Sequence, residues 1–185
     1  ECTQQVLEGL ALKDGLTGLY NRRHFTEQLG REWNRARRER LPLTLIMVDI
    51  DHFKRFNDAH GHLAGDERIR LVADALRRCF ARGSDLVARY GGEEFVALAT
   101  GLDPRGGRER AELLCEAVRE LTGHADHGQM SPVTVSVGLA TISPDQRLAQ
   151  EDLIEAADRA LYEAKRTGRD RVVQASPLRA LATAA

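Results

Sequence analysis

The amino-acid sequence predicts an α+β domain: an antiparallel or mixed sheet with helices packed against it. Three observations carry this expectation. Residues 43–48 are apolar at nearly every position, as in a central strand covered on both faces. Two strand-like runs, 86–90 and 94–99, are separated by little more than Gly91-Gly92 and read as a hairpin. Val133, Val135, Val137 and Leu139 alternate with Thr134, Ser136, Gly138 and Ala140, the period of a strand with one face in the core.

Helical patterns separate these strands. Residues 4–13 place Val6, Leu7, Leu10 and Ala11 at helical spacing without a capping signal, like the end of a longer helix. Asp14-Gly15-Leu16-Thr17-Gly18 breaks it. A second helix over about 21–38 shows Phe25, Leu29, Trp33 and Ala36 on one face, and its arginines form a solvated face. A third over about 66–80 buries Ile69, Val72, Ala73, Leu76 and Phe80. After a loop at 101–107, a fourth over 110–121 buries Leu113, Leu114, Ala117 and Val118. The last, about 150–166, packs through Leu153, Ile154, Ala157, Ala160 and Leu161, and Gly168 ends it. A short strand at 171–173 completes one domain over 14–175, with 1–13 as the end of a linker helix and 176–185 as a disordered tail.

At 185 residues, 42% hydrophobic and 30% charged, the chain has the composition of a soluble globular domain. A net charge of −1 provides no global field to gather nucleic acid or acidic lipid, so any anion site is a local cluster of basic groups. No apolar run approaches a membrane span, and Glu1-Cys2-Thr3-Gln4 does not read as a signal peptide. The odd cysteine count, with Cys79 and Cys115 among helical apolar positions, points to core thiols in a reducing cytoplasm.

Two segments carry chemistry. Asp49-Ile50-Asp51 ends the buried strand, a rigid platform for oxygen ligands to Mg²⁺, although a helix-capping Asp reads equally well from these residues alone. Arg89-Tyr90-Gly91-Gly92-Glu93-Glu94-Phe95 offers bare backbone followed by two carboxylates, either a metal partner for Asp49 or an ordinary acidic turn.

The 89–95 segment resembles the defining motif of the GGDEF domain in its Glu-Glu form, the domain of diguanylate cyclases. The segments 14–23, 47–54, 57–62 with Gly65-Asp66, and 160–169 resemble further family motifs in the family's order, so the resemblance covers about residues 10–175. It implies a central, mainly antiparallel sheet like the palm of nucleotidyl cyclases and polymerases. It implies two Mg²⁺ per active site, replaceable by Mn²⁺, on Asp49, Glu93 and the Ile50 carbonyl. Glu94 would lie by the ribose, and backbone around His52 and Phe53, with Lys54, would hold the terminal phosphates. Lys165 and Arg169 would reach the same triphosphate, although alone they read as cations at a helix C-terminus. Asn57 and Asp66 would read guanine, although alone they read as turn and cap residues. His60-Gly61-His62 is expected to be loop packing, not a metal pair.

Arg82-Gly83-Ser84-Asp85 resembles the family's inhibitory Arg-x-x-Asp site, where the product cyclic di-GMP returns as an allosteric inhibitor. Ala117 stands where some members supply a second arginine, with Arg110 or Arg119 as substitutes. The implied activity condenses two GTP across a homodimer, under an upstream sensory domain in the bacterial cytoplasm, without nucleic acid or membrane insertion. The alternative is a non-catalytic module that senses GTP or cyclic di-GMP, and a second rival is another palm-type nucleotidyl cyclase.

Overall fold

In the computed structural model, the described residues are 12–123, 132–144 and 147–176. The expected linker helix over 4–13, Cys2 and the tail from 177 onward fall wholly or almost wholly outside them.

The elements run β1 (Tyr20–Asn21), α1 (Arg22–Glu39), β2 (Leu43–Ile50), α2 (Phe53–His60), α3 (His62–Cys79), β3 (Asp85–Gly91), β4 (Glu94–Thr100), α4 (Pro104–Gly123), β5 (Val135–Ile142), α5 (Gln150–Arg166) and β6 (Arg171–Gln174). The sheet order is β1-β3-β4-β2-β5-β6. The four central strands are antiparallel to their neighbours, and only the short edge strands β1 and β6 pair in parallel. This is the expected α+β class.

All eight residues of β2 are buried, because helices cover both faces of the sheet. On one face Ile46, Val48 and Ile50 pack with Val135 and Val137 against Ile69, Val72 and Leu76 of α3 and Leu114 and Val118 of α4. On the other, Leu43, Leu45 and Met47 pack against Phe25, Leu29 and Trp33 of α1 and Leu153, Ala157 and Leu161 of α5. Two apolar layers clamp β2 and hold its C-terminal end rigid.

Several expectations need correction. β5 begins at Val135, and residues 135–140, together with Ile142, are buried on both faces of the strand. A Cβ at Gly138 would sit 2.1 Å from the Leu161 backbone nitrogen, so the small residues of the alternation mark a close helix, not a wet face. α4 starts at Pro104, six residues before the expected start at Arg110: Asp103 Oδ1 accepts the Gly106 N–H at 2.8 Å, and proline is preorganised for the first turn. Leu113, expected in the core, is 57% exposed. An unforeseen helix, α2, follows the strand tip, and α3 starts at His62. His60 and His62 are therefore exposed ends of two helices broken at Gly61 (φ 84°), not loop residues. Cys115 is buried and its thiol is pushed up to about 12, chiefly by burial.

Candidate active site

Strand register assembles the acidic end of the site. Asp49 lies opposite Glu94 across the β2–β4 pair, and the Ile50 N–H donates to the Glu93 carbonyl at 3.3 Å. A register shift between Arg89 and Gly91 marks an irregularity in β3 just before the turn at Gly92-Glu93. From the other side, the last turn of α5 brings Lys165 Nζ to 2.7 Å from Asp49 Oδ2.

Asp49, Ile50, Glu93, Lys165 and Arg169 line one cleft of about 430 Å³ together with His52, Phe53 and Lys54, and with Arg55 and Asp58, which the sequence did not single out. Burial pushes the Asp49 carboxyl up to about 6; Lys165 opposes this, and the charges of Glu93 and Glu94 add to it. A cation among these oxygens would relieve both causes. The donor set fits a hard divalent ion, since Mg²⁺ takes one or two carboxylates, a carbonyl and the oxygens of a phosphate.

The phosphate side is a helix start. His52 precedes α2 with φ 56° and makes no side-chain cap for the first N–H groups of the helix, and His52, Phe53 and Lys54 all line the cleft. A left-handed His costs on the order of 1 kcal/mol, a strain tolerated where the backbone must present those groups.

Asn57 on α2 and Asp66 on α3 flank the α2–α3 elbow and are not among the residues that line this cleft. A Cβ on Gly65 would meet Asn57 Oδ1 at 1.9 Å, so Gly65 is the cradle that admits the amide. Asn57 Oδ1 is buried without a hydrogen-bond partner, as expected of an acceptor reserved for a ligand N–H.

Asp51, the other carboxylate of the strand tip, does not line this cleft. Its Oδ1 accepts the Ser136 hydroxyl at 2.6 Å, and its Oδ2 accepts the Thr134 hydroxyl at 2.7 Å and the Asp170 N–H at 3.0 Å. Arg89 was legible only as part of a motif; it donates to the Gly92 carbonyl at 2.9 and 2.8 Å and to Asp14 at 3.3 and 3.2 Å. Burial alone would raise the Asp14 carboxyl, but its hydrogen bonds to Thr17 and Arg89 outweigh burial and hold it below its usual value. The opening turn is thereby tied to the glycine hairpin. An arginine just before two glycines was the only signal for this clamp.

At the far end of β3, Arg82 is exposed while the Asp85 side chain is only 1% exposed. Asp85 Oδ2 accepts from Arg110 at 2.6 Å and from the Arg82 N–H at 3.1 Å. Arg110 thus stands beside the Arg82 segment, whereas Arg119 pairs with Asp170 at 2.9 Å.

The profile of the family described as "Diguanylate cyclase, GGDEF domain" matches residues 11–171. The chain is 43% identical over 162 residues to diguanylate cyclase DgcP of Pseudomonas aeruginosa, covering 88% of this chain and 24% of that protein. It is 37% identical over 163 residues to diguanylate cyclase VdcA of Vibrio cholerae, covering 88% of this chain and 47% of that one. It therefore spans less than half the length of either relative. The GGDEF domain of DgcB from Caulobacter crescentus, solved in complex with c-di-GMP, superposes with a TM-score of 0.81 at 36% identity, covering 89% of this chain and 95% of that one. With its ordered motifs, its sheet and these matches in agreement, the chain belongs to the diguanylate cyclase GGDEF-domain family.

Proposed function

We propose that this chain is the catalytic module of a diguanylate cyclase, which joins two GTP into cyclic di-GMP and releases two pyrophosphates. One observation carries the reading: Asp49, the Ile50 carbonyl and Glu93 share a cleft with Lys165, Arg169 and the uncapped start of α2. Acidic oxygens for a cation and basic groups for phosphates are what a nucleotidyl transfer needs side by side.

Two Mg²⁺ held by Asp49, Glu93 and the Ile50 carbonyl would neutralise phosphate oxygens and acidify the attacking hydroxyl. The chain's own groups do the rest. N–H groups of α2 with Lys54 grip the terminal phosphates, and Lys165 from α5 and Arg169 from the turn after it close on them. Asn57 and Asp66 accept from the guanine edge; adenine would leave those acceptors unpaired. Glu94, opposite Asp49 in the strand register, would lie by the ribose and assist removal of the 3′-hydroxyl proton. One domain holds one GTP, so two must face each other, and encounter of domains limits the rate. An upstream module in a longer protein would set that encounter in the bacterial cytoplasm. Among the described residues no helix is long and apolar enough to cross a membrane.

Arg82, with Arg110 held beside it on Asp85, supports a product-inhibition site. R82A is expected to keep full activity at cyclic di-GMP levels that silence the wild type; equal inhibition of both removes this part of the proposal.

Incubation with GTP and Mg²⁺ at high protein concentration, followed by product identification, tests the whole. A cyclic dinucleotide, formed with specific activity that rises with concentration, is the expected result. Bound but unconverted GTP would make the chain a sensor module, and a cyclic mononucleotide would make it a different cyclase.

A further inference from the structure

The turn that carries Arg169 is unusual. Gly168, Arg169 and Asp170 have φ of 127°, 64° and 45°, three successive residues with positive φ, two of them not glycine. Non-glycine residues hold this conformation only where surrounding groups over-determine it. Here the ties are specific. The Arg169 N–H donates to the Ala164 carbonyl at 2.9 Å, and the Arg169 carbonyl accepts from Arg171 Nε at 2.9 Å. The Asp170 N–H donates to Asp51 Oδ2 at 3.0 Å. The Asp170 carboxylate accepts from Arg119 Nε at 3.0 and 3.2 Å and from its Nη2 at 2.9 Å.

Asp51 is anchored in turn by Ser136 and Thr134 at the start of β5. The turn is thus held from the sheet by Asp51 and from α4 by Arg119, while the neighbouring Arg169 lines the cleft with Asp49 and Glu93. None of Asp51, Arg119 and Asp170 is needed to close α5, whose last N–H and carbonyl groups are met by Thr167, Arg169, Ala164 and Glu163.

We propose that Arg119 and Asp170, seated on Asp51, are positioning residues that aim Arg169 at the triphosphate. The pair acts only through Arg169, and the proposal rests on the reading of Arg169 as a phosphate ligand. A carboxylate clamped by a guanidinium fixes the direction as well as the distance of the turn, which a single hydrogen bond would not.

The test measures binding rather than turnover, with 3′-deoxy-GTP and Mg²⁺ as the probe, because that nucleotide lacks the attacking hydroxyl. R119A is expected to weaken binding roughly tenfold, about one charge-assisted hydrogen bond. R119K, which keeps the charge but not the two-pronged grip, should recover only part of the loss, and R119A/R169A should bind no worse than R169A alone. Melting curves confirm that the variants are folded, and D170N, which keeps the N–H to Asp51 but gives Arg119 one neutral oxygen in place of a carboxylate, should lose part of the affinity. Unchanged affinity in R119A, or an equal further loss in the R169A background, overturns the proposal. Wild type that binds the probe yet makes no dinucleotide from GTP defeats the cyclase reading and leaves the brace standing. Failure of the wild type to bind the probe at all defeats both.

Discussion

Asp49 and Asp51 sit two residues apart at one strand tip, are 8% and 5% exposed, and have opposite surroundings. Asp49 pairs with Lys165 at 2.7 Å, feels Glu93 and Glu94 close by, and is pushed up to about 6. Asp51 has three donors from three different segments and no carboxylate facing it among its hydrogen-bond partners. Burial is nearly equal, so burial does not distinguish them. The difference lies in which lone pairs the protein has already filled. A carboxylate with its acceptors filled builds structure, and one kept short of donors in a cleft is held in reserve for a ligand.

The largest effect expected from this contrast is on turnover. D49N should lower cyclic di-GMP formation about a thousandfold, several kcal/mol of transition-state stabilisation, with the fold intact. Product formation per folded molecule measures it, and a loss under tenfold would put the cation elsewhere. D51A should act on stability, by about 3 kcal/mol in urea unfolding, because it strands two hydroxyls and an N–H in a buried site. If D51A instead left stability intact and abolished turnover as D49N does, the two aspartates would share one role.

A third expectation concerns pH in the presence of a chelator. The folded-state pKa of Asp49, about 6, lies above the usual 3.8, so the folded protein holds that proton more tightly than the unfolded chain. Its contribution to stability is full below about pH 4 and is lost as pH rises through about 6. D49N lacks it, so relative to wild type it should gain up to about 2 kcal/mol across that window. A flat difference between the two unfolding curves would contradict the unfavourable site. The smallest effect sharpens the Asp51 side: S136A removes one 2.6 Å bond and should cost about 1 kcal/mol of stability in urea unfolding.

Much of this was legible before the coordinates. The apolar run of β2, the glycine hairpin and the final helix depend on neighbours in sequence and fell where their patterns placed them. The expected site residues Asp49, Ile50, His52, Phe53, Lys54, Glu93, Lys165 and Arg169 line one cleft. Elsewhere local pattern misled. Gly106-Gly107 looked like a loop, yet a Cβ on Gly107 would stand 3.0 Å from Thr44, so the helix continues there in order to pack tightly. Leu113 sat in the apolar pattern of a helix whose true buried stripe runs through Ala111, Leu114 and Val118.

The sequence by itself determined the strand that ends in carboxylates, the turn that follows paired glycines and the family to which these motifs belong. Only the tertiary structure decided which of the two aspartates stays available and which arginines are taken. The partners of Asp51 lie 83, 85 and 119 residues away in the chain, and Asp170 reaches back 51 residues to Arg119. Hydrogen-bond satisfaction is a property of groups brought together in space, and no local periodicity encodes it.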